Sequence, residues 1–288
     1  MKRKSRGDRV YQVVINVIAV LIGIITLYPL IYTLSASLSQ PIHILSGEVV
    51  LWPVELTLNS YRRVFASADN TILYSVGGTF LNVILTIMAA YPLSLPDLKG
   101  KNGITFLITF TMFFSGGMIP SFINVKNLGL MNSPLAIILP SAINATNMLI
   151  LRNYFINSIP GELREAASID GCSPFTTMNK IILPLSKSIL VVITLYYFVG
   201  HWNSYFEAMM YIRNRDLQPL QVLLRQILLL SQMGDMSEQM GVDDVNTVLI
   251  YASLKYAIIV VSAVPLLVIY PMIQRFFEKG IMMGSIKG

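Results

Sequence analysis

The chain has 288 residues, of which 54% are hydrophobic and only 12% are charged, with a mean hydropathy of +0.64 and a formal net charge of +6. Because a soluble domain carries about 25% charged residues, this composition excludes an ordinary soluble enzyme and predicts a polytopic, all-α membrane protein. The single cysteine, Cys172, excludes an internal disulfide, and His43 and His201 form no metal-ligand pattern, so we expect no metal site.

Hydrophobic runs predict six transmembrane helices. The first run is about twice as long as the ~7–15 apolar residues of a signal peptide, so it is interpreted as an uncleaved span. Pro92 is expected to interrupt the second span, and Ser115-Gly116-Gly117 the third. The six predicted spans are residues 10–35, 71–95, 104–123, 134–155, 188–210 and 249–273.

The distribution of lysine and arginine predicts the orientation. With the N-terminus in the cytoplasm, 14 of the 21 basic residues lie in cytoplasmic segments and seven lie outside. This bias follows the positive-inside rule, so both termini are predicted to be cytoplasmic. It also accounts for the positive charge without nucleic acid, because the basic residues cluster beside the apolar spans.

Polar residues inside the second and fourth spans are candidates for a transport pathway. Asn82 lies on a polar face of the second span, and Ser141, Asn144 and Asn147 recur at three-residue spacing in the fourth. The alternative is that these groups only form hydrogen bonds between helices, which contribute about 0.6 kcal/mol each on average. For any single residue the sequence favours that alternative.

Between the fourth and fifth spans lies a polar segment, residues 158–187, that contains EAASIDGCSPFTTMNKIILP. Ser158 and Pro160 predict the start of a helix, and Gly171 is typical of the residue that follows a helix end. Ser173-Pro174 then predicts the start of a second helix. The sequence leaves open whether this cytoplasmic segment docks on another protein or is only a tightly folded loop.

The fifth span carries the highest density of aromatic and polar residues. Tyr197, His201 and Tyr205 recur every four residues, while Tyr196, Asn203 and Glu207 form a separate stripe. One stripe is expected to line a cavity and the other to meet a partner subunit. Aromatic rings and amides are the groups that suit a sugar. The pathway candidates in this span are Tyr197, His201, Asn203, Tyr205 and Glu207.

No ATP-binding loop is present in the sequence. The phosphate loop requires GxxxxGK followed by Ser or Thr, whereas Gly100-Lys101 is followed by Asn102. We therefore expect no enzymatic activity and no cofactor bound by this chain. The energy for transport must come from another protein chain or from an ion gradient.

The polar segment resembles the EAA loop of bacterial ABC importer permeases. The match consists of Glu165-Ala166-Ala167, Asp170-Gly171, Ile181 and Leu183-Pro184 at the spacing of that motif. The chain also looks like carbohydrate-importer permeases related to the maltose permease, in its six spans, Trp202-Asn203 and Glu278-Lys279-Gly280. Within that group it is most similar to permeases for complex oligosaccharides such as alginate or pectin fragments.

The resemblance implies a type I importer permease: one transmembrane domain over residues 1–288, with a coupling helix within 158–187 and a cytoplasmic tail at 276–288. It implies a second permease subunit, two ATPase subunits that bind ATP and Mg, and an extracytoplasmic sugar-binding protein. An ion-gradient-driven secondary transporter is the alternative function. The residues implied to couple to the ATPase are Glu165, Ala166, Ala167, Asp170, Gly171, Leu183 and Pro184.

Overall fold

The structure is a computed structural model that describes residues 6–65, 68–237 and 245–284. Within these ranges the chain is helical and forms no strand beyond an isolated bridge between Ser39 and Leu56. The predicted tail, residues 276–288, lies outside the described residues from 285 onward. In chain order the α-helices are α1 Arg6–Leu38, α2 Pro41–Leu45, α3 Asn59–Phe65, α4 Asp69–Ser94, α5 Lys101–Phe113, α6 Met118–Asn127, α7 Leu135–Ile138, α8 Ala145–Asn157, α9 Gly161–Ile169, α10 Pro174–Thr177, α11 Leu183–Leu185, α12 Lys187–Trp202, α13 Phe206–Tyr211, α14 Leu220–Ser237 and α15 Val245–Gly284.

The chain forms two compact units. The first comprises Met1–Ala66 and Leu224–Ala263. Its small core contains Ala36, Ile44 and Val49, and the rings of Tyr32 and Tyr256 meet edge to face at 5.7 Å. Most of the apolar side chains described on α1 are exposed, as expected for a helix that faces lipid or another subunit.

The second unit comprises Ser67–Leu223 and Val264–Gly288. Helices α4, α8 and α12 pack against one another in it. Their shared core includes Tyr91, Met148, Phe155 and Ile193, and the rings of Tyr91 and Phe155 meet edge to face at 6.3 Å. This three-helix arrangement carries both the polar cavity and the contacts of the segment that resembles an EAA loop.

Three described helices are long and apolar enough to cross a membrane: Tyr11–Leu38, Asp69–Ser94 and Tyr251–Pro271. They correspond to the predicted first, second and sixth spans. Two bent helix pairs could each be a further span, so the described ranges contain three to five candidates rather than six. One pair, Lys101–Phe113 with Met118–Asn127, bends by 118° around the Ser-Gly-Gly sequence, where Gly117 has a φ of +86°.

The predicted fourth span is split and forms no continuous helix. Helix α7 ends at Ile138, shortly before Pro140, and α8 begins only at Ala145. Asn144 is the N-cap of α8, and its side chain accepts a hydrogen bond from the backbone N–H of Asn147. Asparagine is favoured at this position because its short side chain satisfies an end donor of the helix.

The sequence analysis expected Pro92 to interrupt the second span, and this expectation is wrong. Helix α4 continues through it and ends two residues later, at Ser94. A proline two residues from the helix end disturbs only the last turns, because the missing N–H and the ring affect only the carbonyl four residues earlier, that of Met88. The proline therefore marks the end of the helix.

Candidate functional site

A polar cavity of about 190 Å³ lies in the second unit. Six of the eight predicted pathway residues line it, and Asn203 and Tyr205 do not. The lining also includes Ser141, as the three-residue spacing predicted, together with Ile137, Tyr196, Gly200 and Ser204. The six predicted residues that line the cavity are Asn82, Asn144, Asn147, Tyr197, His201 and Glu207.

The end of α12 explains which residues of the fifth span reach the cavity. The predicted stripes assumed one helix over 188–210, but α12 ends at Trp202 and α13 begins at Phe206. Asn203 is the C-cap of α12, and its side chain donates to the carbonyl of Val199 at 3.0 Å. The four-residue spacing of Tyr197, His201 and Tyr205 is thus not continued beyond His201.

A hydrogen bond between Asn82 and His201 joins α4 to α12. Asn82 is fully buried, and its Nδ2 lies 2.9 Å from Nε2 of His201 and 3.3 Å from the carbonyl oxygen of Ser141. Since Nδ2 donates, Nε2 of the imidazole accepts and the ring proton of a neutral His201 lies on Nδ1. The Oδ1 atom of Asn82 has no hydrogen-bond partner in the described ranges, so it is an acceptor that a solute hydroxyl or water could use.

The hydroxyl of Tyr197 joins three helices of the second unit. It accepts from the backbone N–H of Asn144 at 2.9 Å and shares a hydrogen bond with Oγ1 of Thr86 at 2.6 Å. The ring itself is buried, whereas that of Tyr196 is 47% exposed. Tyr197 therefore has the contacts of a structural residue, and Tyr196 is the tyrosine that is open to a solute.

We expect Tyr197→Phe to lower the stability of the purified protein in detergent by about 1 kcal/mol, because it removes the acceptor of the part-buried backbone N–H of Asn144 and the hydrogen bond to Thr86. Tyr196→Phe is the matched control. Its hydroxyl forms no hydrogen bond in the described part of the chain, so its loss should leave the unfolding midpoint unchanged and affect only transport. Equal thermal unfolding of the two variants would contradict the assignment.

Tyr196 and Ser204 are polar cavity residues that were not among the predicted pathway candidates, although Tyr196 belongs to the second predicted stripe. Tyr196 adjoins Tyr197 on the helix, and Ser204 lies in the turn after α12, where it donates to Oε2 of Glu207 at 3.1 Å. A helix end after Trp202 would have identified Ser204, because the turn brings Ser204 and Glu207 back toward the cavity. That end has no strong sequence signal, since neither proline nor glycine follows Trp202.

A second cavity, of about 450 Å³, also lies in the second unit and carries positive charge. Its lining includes Lys126 and Arg213 and no acidic residue. The rings of Phe122 and Tyr211 stack at its edge with centroids 6.3 Å apart. Asn132 holds the loop in place, because its Oδ1 accepts from the backbone N–H groups of Arg213 and Asn214.

The segment after α8 folds into the predicted helix, glycine turn and second helix. Helix α9 begins at Gly161 with Pro160 as its N-cap. The predicted start at Ser158 is wrong, because that residue is the C-cap of α8. At the other end Asp170 is the C-cap and Gly171 has a φ of +74°.

Two backbone hydrogen bonds define the turn at Gly171. Its N–H donates to the carbonyl of Ser168 at 3.1 Å, and the N–H of Cys172 donates to the carbonyl of Ala167 at 2.9 Å. This pair is a Schellman motif, which requires a left-handed residue at the position of Gly171. Cys172 thus contributes its backbone to the turn.

The second part of the segment begins as predicted. Ser173 is the N-cap of α10, and its Oγ accepts from the N–H of Thr176 at 3.2 Å. A π-helix, Met178–Ile182, follows and leads into α11, which contains Leu183 and Pro184. Since a proline cannot donate to the carbonyl four residues earlier, the wider π turn accommodates it. The chain then bends by 86° into α12.

The residues of the EAA-like motif differ in exposure. Glu165, Ala166 and Asp170 are exposed, whereas Ala167 is buried within the chain. The two alanines of the motif are therefore divided between the chain's own core and the surface. Two large apolar side chains near the turn are open to solvent, with Ile169 86% and Phe175 71% exposed.

Comparison with known families agrees with this architecture. A family model described as a binding-protein-dependent transport system inner membrane component matches residues 1–283. Among curated relatives, the polygalacturonan/rhamnogalacturonan transport system permease protein YtcP of Bacillus subtilis is 40% identical, over 98% of this chain and 99% of its own length. Protein LplC of the same organism is 37% identical, over 99% of this chain and 97% of its own.

A solved structure resembles the whole fold. It is a chain from the crystal structure of a bacterial ABC transporter involved in the import of the acidic polysaccharide alginate. The two chains superpose with a TM-score of 0.82 and share 34% sequence identity, with 96% of this chain and 100% of the other covered. The likeness therefore extends to both units and to the segment between α8 and α12.

Proposed function

Since the chain belongs to the family of binding-protein-dependent transport system inner membrane components, we propose that it is the permease subunit that passes oligosaccharides through an ATP-driven importer. The family membership rules out the alternative of a transporter driven by an ion gradient. Residues 1–288 form one permease domain in this proposal. The observation that supports this proposal is the polar cavity between α4, α8 and α12. Its lining brings together amide, hydroxyl, imidazole and carboxylate groups, which suit sugar hydroxyls.

The size of the polar cavity supports a second permease subunit. Binding sites for small molecules usually enclose ~300–1,000 Å³, and this cavity encloses about 190 Å³. One chain therefore supplies only part of a site for a chain of sugars. We propose a heterodimer in which Tyr196, Asn203 and Tyr205, all exposed in this chain, meet the substrate or the partner subunit.

The segment between α8 and α12 is proposed to couple this subunit to an ATPase in the cytoplasm, where both chain termini also lie. Glu165 and Asp170 provide exposed charge, and Ile169 and Phe175 provide exposed apolar surface beside it. A mixed surface of this kind is typical of a protein interface. Gly171, Leu183 and Pro184 shape the segment, and ATP and Mg are bound by the partner ATPase.

The substrate class we propose is an acidic oligosaccharide. The permease from Bacillus subtilis and the importer of known structure are named for polygalacturonan and alginate, respectively. Lys126 and Arg213 give the second cavity the charge to bind a sugar carboxylate, and the stacked rings beside them suit a sugar face. The polar cavity contains Glu207 and no basic residue other than His201, so it is better suited to hydroxyls.

Purification of the chain from its native membrane in mild detergent tests the function. We expect an ATPase, a second permease and ATPase activity that rises on addition of a sugar-loaded binding protein. A chain that purifies alone and moves solute down an ion gradient in liposomes would refute the proposal.

The charge of the second cavity gives a separate prediction. The double variant Lys126→Gln/Arg213→Gln should lower ATP-driven uptake of trigalacturonate by up to about tenfold, since two exposed ion pairs are lost. Uptake of the methyl-esterified trimer, which has no charge, should not change. Arg215→Gln is the control, because Arg215 is exposed on the same loop and does not line the cavity. An equal loss for both sugars would contradict a role for charge.

A further inference from the structure

The side chain of Arg164 connects α9 to the ends of two other helices. Its Nη1 donates to the carbonyl oxygen of Ser94 at 3.2 Å, and its Nη2 donates to that of Phe155 at 2.6 Å. Ser94 is the last residue of α4, and Phe155 lies in the last turn of α8. One guanidinium on the EAA-like segment therefore holds two helices of the three that surround the polar cavity.

The carbonyl groups explain why an arginine occupies this position. The last four carbonyls of a helix have no partner within it and carry the negative end of the helix dipole. A cation that bonds them satisfies these acceptors and the dipole together. The planar guanidinium donates to the two helices from separate nitrogens, whereas an ammonium has a single donor nitrogen. In the described ranges no carboxylate pairs with Arg164, so its bonds are to these two helix ends.

The surroundings of Arg164 hold its side chain in place. It lies beside the core that contains Tyr91 and Phe155, and burial lowers the pKa of its guanidinium from the usual value. An arginine nonetheless stays charged in a protein. Its bonds to backbone oxygens are therefore charge-assisted and stronger than bonds between neutral groups.

The two helices that Arg164 holds are those that carry amides into the polar cavity. Asn82 lies twelve residues before Ser94, about 18 Å along α4, and Asn147 lies eight residues before Phe155, about 12 Å along α8. Packed helices move as rigid bodies, so a displacement applied at these ends reaches the cavity. No other described side chain of α9 bonds the end of either helix.

We propose that Arg164 is the positioning residue through which movement of the EAA-like segment is passed to α4 and α8, and hence to the polar cavity. The proposal rests on the proposed function, since it requires an ATPase that moves α9. Arg164 does not touch the substrate in this proposal. Its hydrogen bonds couple the movement of α9 to the tilt of α4 and α8.

The experiment compares Arg164→Gln with Arg152→Gln in the complete importer, reconstituted in proteoliposomes with the loaded binding protein. Arg152 is the matched control, because its Nε donates to the carbonyl of Leu93 at 2.9 Å and joins α8 to α4 without touching α9. The measured quantity is the number of trigalacturonate molecules imported per ATP hydrolysed. We expect a loss of about tenfold for Arg164→Gln, which removes two charge-assisted bonds, and little change for Arg152→Gln.

The outcomes separate this inference from the proposed function. If the unmodified importer shows no ATP-driven uptake, the proposed function fails. If it does, an unchanged import ratio for Arg164→Gln, or an equal loss for Arg152→Gln, would overturn the role of Arg164. Should Arg164→Gln not assemble, Arg164→Lys keeps the charge and can bond one helix end. An intermediate ratio would then support the inference, and the ratio of the unmodified importer would overturn it.

Discussion

Replacing Gly171 by valine is expected to abolish ATP-driven transport while the membrane helices stay folded. Gly171 has a φ of +74°, in the left-handed region that a β-branched residue avoids at a cost of about 1–3 kcal/mol. A valine would push the backbone out of this conformation and break the two hydrogen bonds that end α9. The exposed surface at Ile169 and Phe175 would then lose its shape. Uptake in proteoliposomes and thermal unfolding in detergent measure the two effects separately.

Gly171→Asn is the matched control for the valine variant, because asparagine tolerates the left-handed region and is found at this position of helix ends. A Cβ atom at Gly171 would have nothing within 4 Å, so neither variant suffers a clash inside the chain. We therefore expect the asparagine variant to retain most of its uptake. Full uptake by the valine variant would show that the turn does not matter for coupling.

The local signals in this segment were strong enough to be read from the sequence. A glycine after a helical stretch and Ser173-Pro174 after it each define one turn through short-range bonds, and both turns occur as predicted. The same kind of reasoning failed at Ser158, which ends α8 instead of beginning α9. Only three residues separate α8 from α9, so a capping residue predicted at this place can belong to either helix.

The split of the fourth span could not be read from hydropathy. Residues 134–155 are apolar enough for one helix, yet Asn144 caps a new one and its N–H bonds the hydroxyl of Tyr197, 53 residues away. A contact between distant residues compensates for the lost helical hydrogen bond, and such a contact cannot be predicted from the hydrophobic pattern of the sequence. The same applies to the helix end at Trp202, which decided whether Asn203 and Tyr205 reach the cavity.

Arg164 shows how far a charged residue can be misjudged from the sequence. Between Leu163 and Glu165 it counts toward the positive-inside bias and nothing more. Its actual partners are carbonyl oxygens 70 and 9 residues away, which exist as acceptors only because α4 and α8 end there. Backbone acceptors have no sequence signature, so such a role becomes visible only in three dimensions.

Gly78→Ala is expected to destabilise the bundle by about 1–3 kcal/mol, because the contact between α4 and α12 leaves no space for the added methyl group. A Cβ atom at Gly78 would lie 2.8 Å from Nε2 of His201 and 2.9 Å from Cδ2 of the same ring. The ring cannot turn aside freely, since Nε2 is bonded to Asn82 at 2.9 Å and the side chain is buried. The added methyl group must therefore move α12 away from α4 or break that bond, and either change reshapes the polar cavity.

Gly77→Ala isolates this packing effect from the general effect of a glycine on a helix. A Cβ atom at Gly77 would meet nothing within 4 Å, so the variant gains the helix preference of alanine, about 0.5–1 kcal/mol, without a clash. The two neighbours should thus shift the unfolding midpoint in opposite directions, and only Gly78→Ala should alter uptake kinetics. Identical unfolding of the two variants would contradict the close approach of α4 and α12 at His201, on which the shape of the polar cavity depends.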